Sequence, residues 1–253
     1  MRGWILAVAL LLVCSSMAFA EFPLDDKSTS DQILDALDAR GHGLKDFAGD
    51  VALDETDSLS GDVSTLKGKV WFGDKGDGNS RIRVSFTSKT VNGKAAANYH
   101  KEYVLDNGWL VDRDYRQKIE VNRQVLKPGQ KANLLKLGEG PFPLPIGQPR
   151  EEVLKMFDVK RISAGKDDPA GTVHIELIPK EKTRFARKFK KLDVYVDVKT
   201  NFPRRISTIA TGNDEEKATD LGQVNVNVGV KDADFKLEDV GNDWTRKTEP
   251  MDE

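Results

Sequence analysis

The chain has 253 residues, with 39 basic and 41 acidic side chains, three histidines and one cysteine. So even a balance at a high charged fraction describes a well-solvated surface and excludes nucleic acid as a natural partner. One cysteine, Cys14, leaves no disulfide framework, so the fold must rest on its apolar core.

Arg2 precedes an apolar run from Trp4 to Val13 and small residues ending Ala18-Phe19-Ala20, the layout of a secretory signal peptide cleaved after Ala20. Cys14 follows Val13 where lipidation wants a small residue, so a lipidated Cys14 is the weaker alternative. The expected division is residues 1–20 as leader, 21–240 as one β-rich domain, and 241–253 as a polar, loose tail.

After the leader, Ile33, Leu34 and Leu37 follow Thr29 and Gln32, which stand at capping-box spacing, so an amphipathic helix is predicted. Gly41 and Gly43 stop it. From Phe47 the apolar period changes to two, as in strands with one buried face. Phe47, Val51 and Leu53 share a face, as do Val70 and Phe72, and Ile82, Val84 and Phe86 alternate with Arg81, Arg83 and Ser85. Strands follow at Tyr103 to Leu105, Trp109 to Val111 and around Ile119 and Val121, with Asp106-Asn107-Gly108 as a hairpin turn.

Pro128-Gly129 breaks the rhythm and leads through Leu134 and Leu135 into an apolar, proline-rich loop from Gly140 to Gly147 that holds Phe142, Leu144 and Ile146. Pro149 and Arg150 open a second helix carrying Val153, Leu154, Met156 and Phe157. Strands resume with Val173, Ile175 and Leu177, then Leu192 to Val198, Ile206 with Ile209, and Val224, Val226 and Val228. The fold class is therefore mainly β: about ten or eleven strands in one curved antiparallel sheet, with few helices.

Catalytic signatures are lacking. His174 with Glu176, and His100 with Glu102, each offer two metal ligands on one strand face, short of a site; His42 belongs to the helix end. The glycine-rich Gly73 to Gly78 joins two strands and reads as a hairpin loop, not a phosphate cradle. No enzyme activity, cofactor or metal is expected.

Certain pieces resemble the LolA-like lipoprotein-sorting family in order and spacing: Gly68-Lys69-Val70-Trp71-Phe72, Ser80 to Phe86, Val104 to Leu110 with Tyr115-Arg116-Gln117, Leu177 to Lys180, Asn201 to Ile206, and Asp234-Phe235. The resemblance implies a half-open β-barrel with helices and a loop as lid, acting as a periplasmic carrier. A monomer would bind the acyl chains of lipoproteins or another lipid, receive them from an inner-membrane releasing transporter and hand them to an outer-membrane acceptor. Trp71, Val84, Phe86, Tyr103, Leu134, Leu135, Phe142, Leu144, Ile146, Met156 and Phe157 would line the cavity or lid. Ordinary sheet or helix packing is the competing reading for most of them. Where the family often has an Arg-Pro latch, this chain has Gly73 to Gly78, so Arg81 or Arg83 would substitute. Arg187 and Lys188, in the basic run with Arg184, Lys190 and Lys191, would dock a partner or remain plain solvated surface. An envelope sensor on the same scaffold, without lipid transport, is the alternative; a purely structural envelope protein is a third.

Overall fold

Thr29 accepts a hydrogen bond from the Gln32 backbone while the Gln32 side chain accepts one from the Thr29 backbone, and this reciprocal cap starts helix α1, Ser30–Gly41. Its apolar stripe, Ile33, Leu34, Ala36 and Leu37, is fully buried. Each of the three larger side chains contributes about 1.5–3 kcal/mol by leaving water. The computed structural model describes residues 23–76, 79–131, 134–135 and 145–251. The expected leader, and Phe142 and Leu144 of the proline-rich loop, lie outside the described residues.

The strands are β1 (Asp46–Thr56), β2 (Val63–Asp74), β3 (Ser80–Val91), the short β4 (Lys94–Ala95), β5 (Lys101–Asp106), β6 (Trp109–Asp114) and β7 (Ile119–Gln124). Helix α2 (Arg150–Met156) precedes β8 (Phe157–Ile162), β9 (Thr172–Pro179), β10 (Phe189–Asp197), β11 (Pro203–Ala210) and β12 (Glu216–Val226). A 3-10 turn (Asp232–Phe235) and β13 (Thr245–Glu249) follow. All the strands pair in one sheet of order β13-β7-β6-β5-β3-β2-β1-β12-β11-β10-β9-β8, with β4 on β3. The outermost strands, β13 and β8, do not pair with each other, so the curved sheet is a half-open barrel, as expected, with more strands than the sequence suggested.

Cross-strand pairs show which side chains share a face. Phe47 lies opposite Phe72, Phe72 opposite Ile82, Val70 opposite Val84, and Val194 opposite Ile175 and Ile206, which puts the buried apolar set on the concave side. The Asp106-Asn107-Gly108 hairpin is as expected: Asn107 (φ 49°) and Gly108 (φ 79°) are both left-handed, the geometry whose twist suits a two-residue connection.

Several expectations need correction. Phe157 is not the end of a helix: α2 stops at Met156, and Phe157 takes extended dihedrals (φ −135°, ψ 148°) as the first residue of β8. Its ring is pulled into the core against Phe185, 4.8 Å between centroids, which a further helical residue could not reach. Trp71 lies opposite Arg83 on the convex face, alternating with Val70 and Phe72, so it does not line the concavity. The tail is not loose where Thr245–Glu249 forms β13, a parallel neighbour of β7 in an otherwise antiparallel sheet. Its charged sequence leaves that edge unattractive to other strands.

Gly41 stops α1 for a reason other than a left-handed turn. A Cβ there would lie 2.3 Å from the Cα and N of Gly147, so the missing side chain lets the end of the proline-rich loop touch the helix, where the Gly147 amide donates to the Leu37 carbonyl at 3.1 Å. Ile146, beside it, is completely buried. Gly41→Ala should therefore push residues 145–148 off α1 and lower stability by about 1–3 kcal/mol, read as an earlier denaturant midpoint at unchanged slope.

Candidate functional site

The concave face is divided. Toward the carboxy-terminal strands, α1 and α2 lie on β8 and β9, tied together by Arg150 and Asp35 at 2.8 Å. Beneath them Val173, Ile175, Leu177, Leu192, Val194 and Val196 are at most 1% exposed, so that half of the sheet is packed core. Toward the amino-terminal strands lies a cleft of about 950 Å³. Leu53, Leu66, Ile82, Val84, Phe86, Tyr103, Leu105 and Leu110 line it from β1, β2, β3, β5 and β6. That volume stands near the top of the range for small-molecule pockets.

Alternation explains the lining. Leu105 and Tyr103 lie opposite Ile82 and Val84, and Leu110 lies opposite Leu105, so three consecutive strands send apolar groups to one side. Between Lys67 and Gly68 the β2–β3 register slips, leaving Thr87 as an extra residue. Beyond that bulge Lys89 and Val91 face the cleft in place of even-numbered residues. Tyr99, from the loop before β5, closes the same end, and burial pushes its phenol well above the ordinary range, so it stays protonated and able to donate. Phe86 and Tyr103 meet edge to face, 6.4 Å between centroids.

Among the residues expected to hold lipid, Val84, Phe86 and Tyr103 are brought together in the cleft. Leu134 is buried, and Leu135, Ile146 and Met156 pack against the core, without lining the cleft. Phe157 is core under α2. Sequence reading placed Leu53, Leu105 and Leu110 on strands without marking them as lining residues, and it left Leu66 unassigned; what was missing was which strands the helices cover.

Arg81 and Arg83 do not reach a lid. Both stand on the convex face and clamp the segment that follows β12. Arg81 bonds Asp232 at 2.6 Å and stacks over Phe235 at 4.0 Å. Arg83 donates to the Asp234 carbonyl at 2.9 Å and pairs with Glu102, which also accepts from Tyr115 at 2.7 Å. Arg113 extends the clamp: it pairs with Glu120 and donates to the Glu238 carbonyl at 2.7 Å, while Tyr115 meets Trp244 edge-on at 5.3 Å. These contacts fasten residues 232–249 as a strap across the outer surface. Burial alone would raise the Glu102 carboxyl, but hydrogen bonds from Arg83 and Tyr115 outweigh it and hold the group below its ordinary value. Arg187 and Lys188 are exposed in the β9–β10 connection, away from the cleft lining.

The two histidine pairs are taken up on the same outer surface. His174 Nε2 lies 2.9 Å from Asp193 and its ring stacks on Tyr195 at 4.1 Å, while Glu176 faces Lys191 at 3.7 Å. Ser85 Oγ and Glu102 Oε1 both approach the same nitrogen of His100, at 3.3 and 3.8 Å. A hydroxyl-activating relay needs the acid on the other ring nitrogen, so this trio is not one. Among the described residues no three His, Cys, Asp or Glu side chains gather as a metal site.

Fold and cleft together define a half-open β-barrel with one filled and one hollow half of its concave face. No family model matches the sequence, and no curated protein does. Among solved structures the chain is similar to an uncharacterized conserved protein from Thermus thermophilus, at 10% identity and TM-score 0.46, covering 86% of this chain and 97% of that one. It is similar to MucB at 13% identity and TM-score 0.45, covering 81% of this chain and 62% of MucB. A LolA superfamily protein from Nitrosomonas europaea is a further neighbour, at 12% identity and TM-score 0.32, covering 83% of this chain and 98% of that one.

Proposed function

We propose that this protein is a non-catalytic periplasmic carrier that holds the acyl chains of a lipoprotein or another lipid in the cleft and passes them to an outer-membrane acceptor. The observation that carries this reading is the apolar cleft of about 950 Å³ on the half of the concave face that the helices leave uncovered. Each methylene taken from water into such a site gains about 0.8 kcal/mol, so roughly ten of them give about 8 kcal/mol before ordering losses. Micromolar binding is therefore the upper limit before those losses, loose enough for the chain to be released. Transfer then needs only an acceptor of higher affinity, with no bond made or broken. Loading by an inner-membrane transporter and release to an acceptor belong to the same proposal, as does export by the amino-terminal leader.

Mass spectrometry of organic extracts from the protein purified out of its own envelope tests this reading. Acylated molecules at close to one per protein are the expected result. Protein that carries no acyl chain and takes up none from detergent-free lipid dispersions would remove the carrier reading.

A further inference from the structure

The mouth of the cleft is unevenly charged. Five ionisable side chains with fixed charge line the cavity: Glu55, Lys89, Lys101, Asp114 and Arg116. Both carboxylates are committed, Asp114 to Lys101 at 3.2 Å and to the Gln117 amide at 2.9 Å, and Glu55 to Lys217 at 2.9 Å. Lys89 and Arg116 have no carboxylate partner among the described residues. Lys89 stands 5.9 Å from the Tyr99 ring, and Arg116 is solvent-exposed in the β6–β7 turn. The hydroxyls of Tyr99 and Tyr103, beside them, are protonated donors. The chain as a whole carries a net charge of −2, so two unmatched cations here are a local feature, not a reflection of composition. Toward the β1–β2 turn the charge inverts: Asp57, Asp62, Asp214 and Glu215 gather around an adjoining hollow that shares Glu55 and Val91 with the cleft.

We infer that the cargo is an anionic amphiphile, whose acyl chain fills the cleft while its carboxylate, phosphate or sulfate head rests at the rim between Lys89 and Arg116. This rests on the acyl-chain reading above and adds to it a sign and an orientation. The tail runs toward Ile82 and Leu105, deeper along β3 and β5, and the head stays at the end of the barrel where the β6–β7 turn, Tyr99 and the far half of β3 meet. A head of opposite sign would meet two like charges at that rim, and the adjoining acidic hollow would repel an anion that strayed toward the β1–β2 turn.

Three probes of equal chain length separate the head-group assignment from the cleft itself: dodecanoate, dodecan-1-ol and dodecyltrimethylammonium, titrated calorimetrically into the purified protein stripped of bound lipid. Dodecanoate is expected to bind about tenfold more tightly than the cation, with the alcohol between them and the gap narrowing with added salt. Lys89→Glu with Arg116→Glu should invert that order, and Lys89→Gln with Arg116→Gln should level it, both at unchanged melting temperature. Equal affinity for the three probes, or a charge reversal that weakens all three alike, would overturn the head-group assignment and leave the acyl reading intact. Binding of none of them would take both away.

Discussion

Glutamate in place of Leu110 is expected to weaken binding of an acyl probe by about 100-fold or more while the protein stays folded. Leu110 lines the cleft opposite Leu105 and is only partly buried, so a carboxylate can reach water in the empty protein. A bound chain would bury that carboxylate unpaired, a penalty of several kcal/mol on top of the lost apolar contact. Calorimetric titration with dodecan-1-ol, whose head is uncharged, isolates this effect from the rim, and a thermal melt within a few degrees of the parent shows that the fold survives. Unchanged affinity would place the bound chain elsewhere. Phe86 is a poorer position for the same test, because at 4% exposure and packed on Tyr103 it belongs to the sheet's core as much as to the cleft.

The second large effect concerns the outer surface. Arg83→Met is expected to cost about 2–4 kcal/mol in denaturant unfolding, because Glu102, whose side chain is 3% exposed, keeps its charge and loses its cation. The carbonyls of Asp234 and Lys236 lose their donor in the same step, so residues 232–249 should become susceptible to limited proteolysis before the barrel unfolds. Glu102→Gln in the Arg83→Met background should recover part of the loss, since a neutral amide tolerates burial better than an orphaned carboxylate. If the strap stays protected in Arg83→Met, the clamp is not what holds it. In the parent the contribution of Glu102 has a definite sign with pH. Its folded value lies below the ordinary 4.5, so the stabilisation is fully present above that value and is lost as pH falls below it through the folded one.

Much of the barrel was legible because its physics is local. The Thr29–Gln32 cap, the left-handed Asn107-Gly108 turn and the alternation of Ile82, Val84 and Phe86 each depend on residues within a few positions, and all appear as read. Where both faces of a strand are polar the alternation vanishes, which is why Thr245-Arg246-Lys247-Thr248-Glu249 read as loose tail although β7 holds it in register. Phe157 misled for a related reason. An apolar residue four positions beyond Val153 fits a helical stripe as well as a strand start, and only the pocket against Phe185 decides between them. Arg81 and Arg83 were singled out as latches, and latches they are, but for the strap on the convex face, 151 positions away in sequence.

The amino-acid order by itself determined a β-rich chain with one apolar face, the position of its first helix and its principal turns, because periodicity and capping are short-range properties. Only the tertiary structure decided which half of that face α1 and α2 fill, which half stays hollow, and that Lys89 and Arg116 face it without counter-charges. Those outcomes depend on which distant strands become neighbours, and on the slip at Thr87 that turns the end of β3 over, neither of which leaves a trace in local spacing.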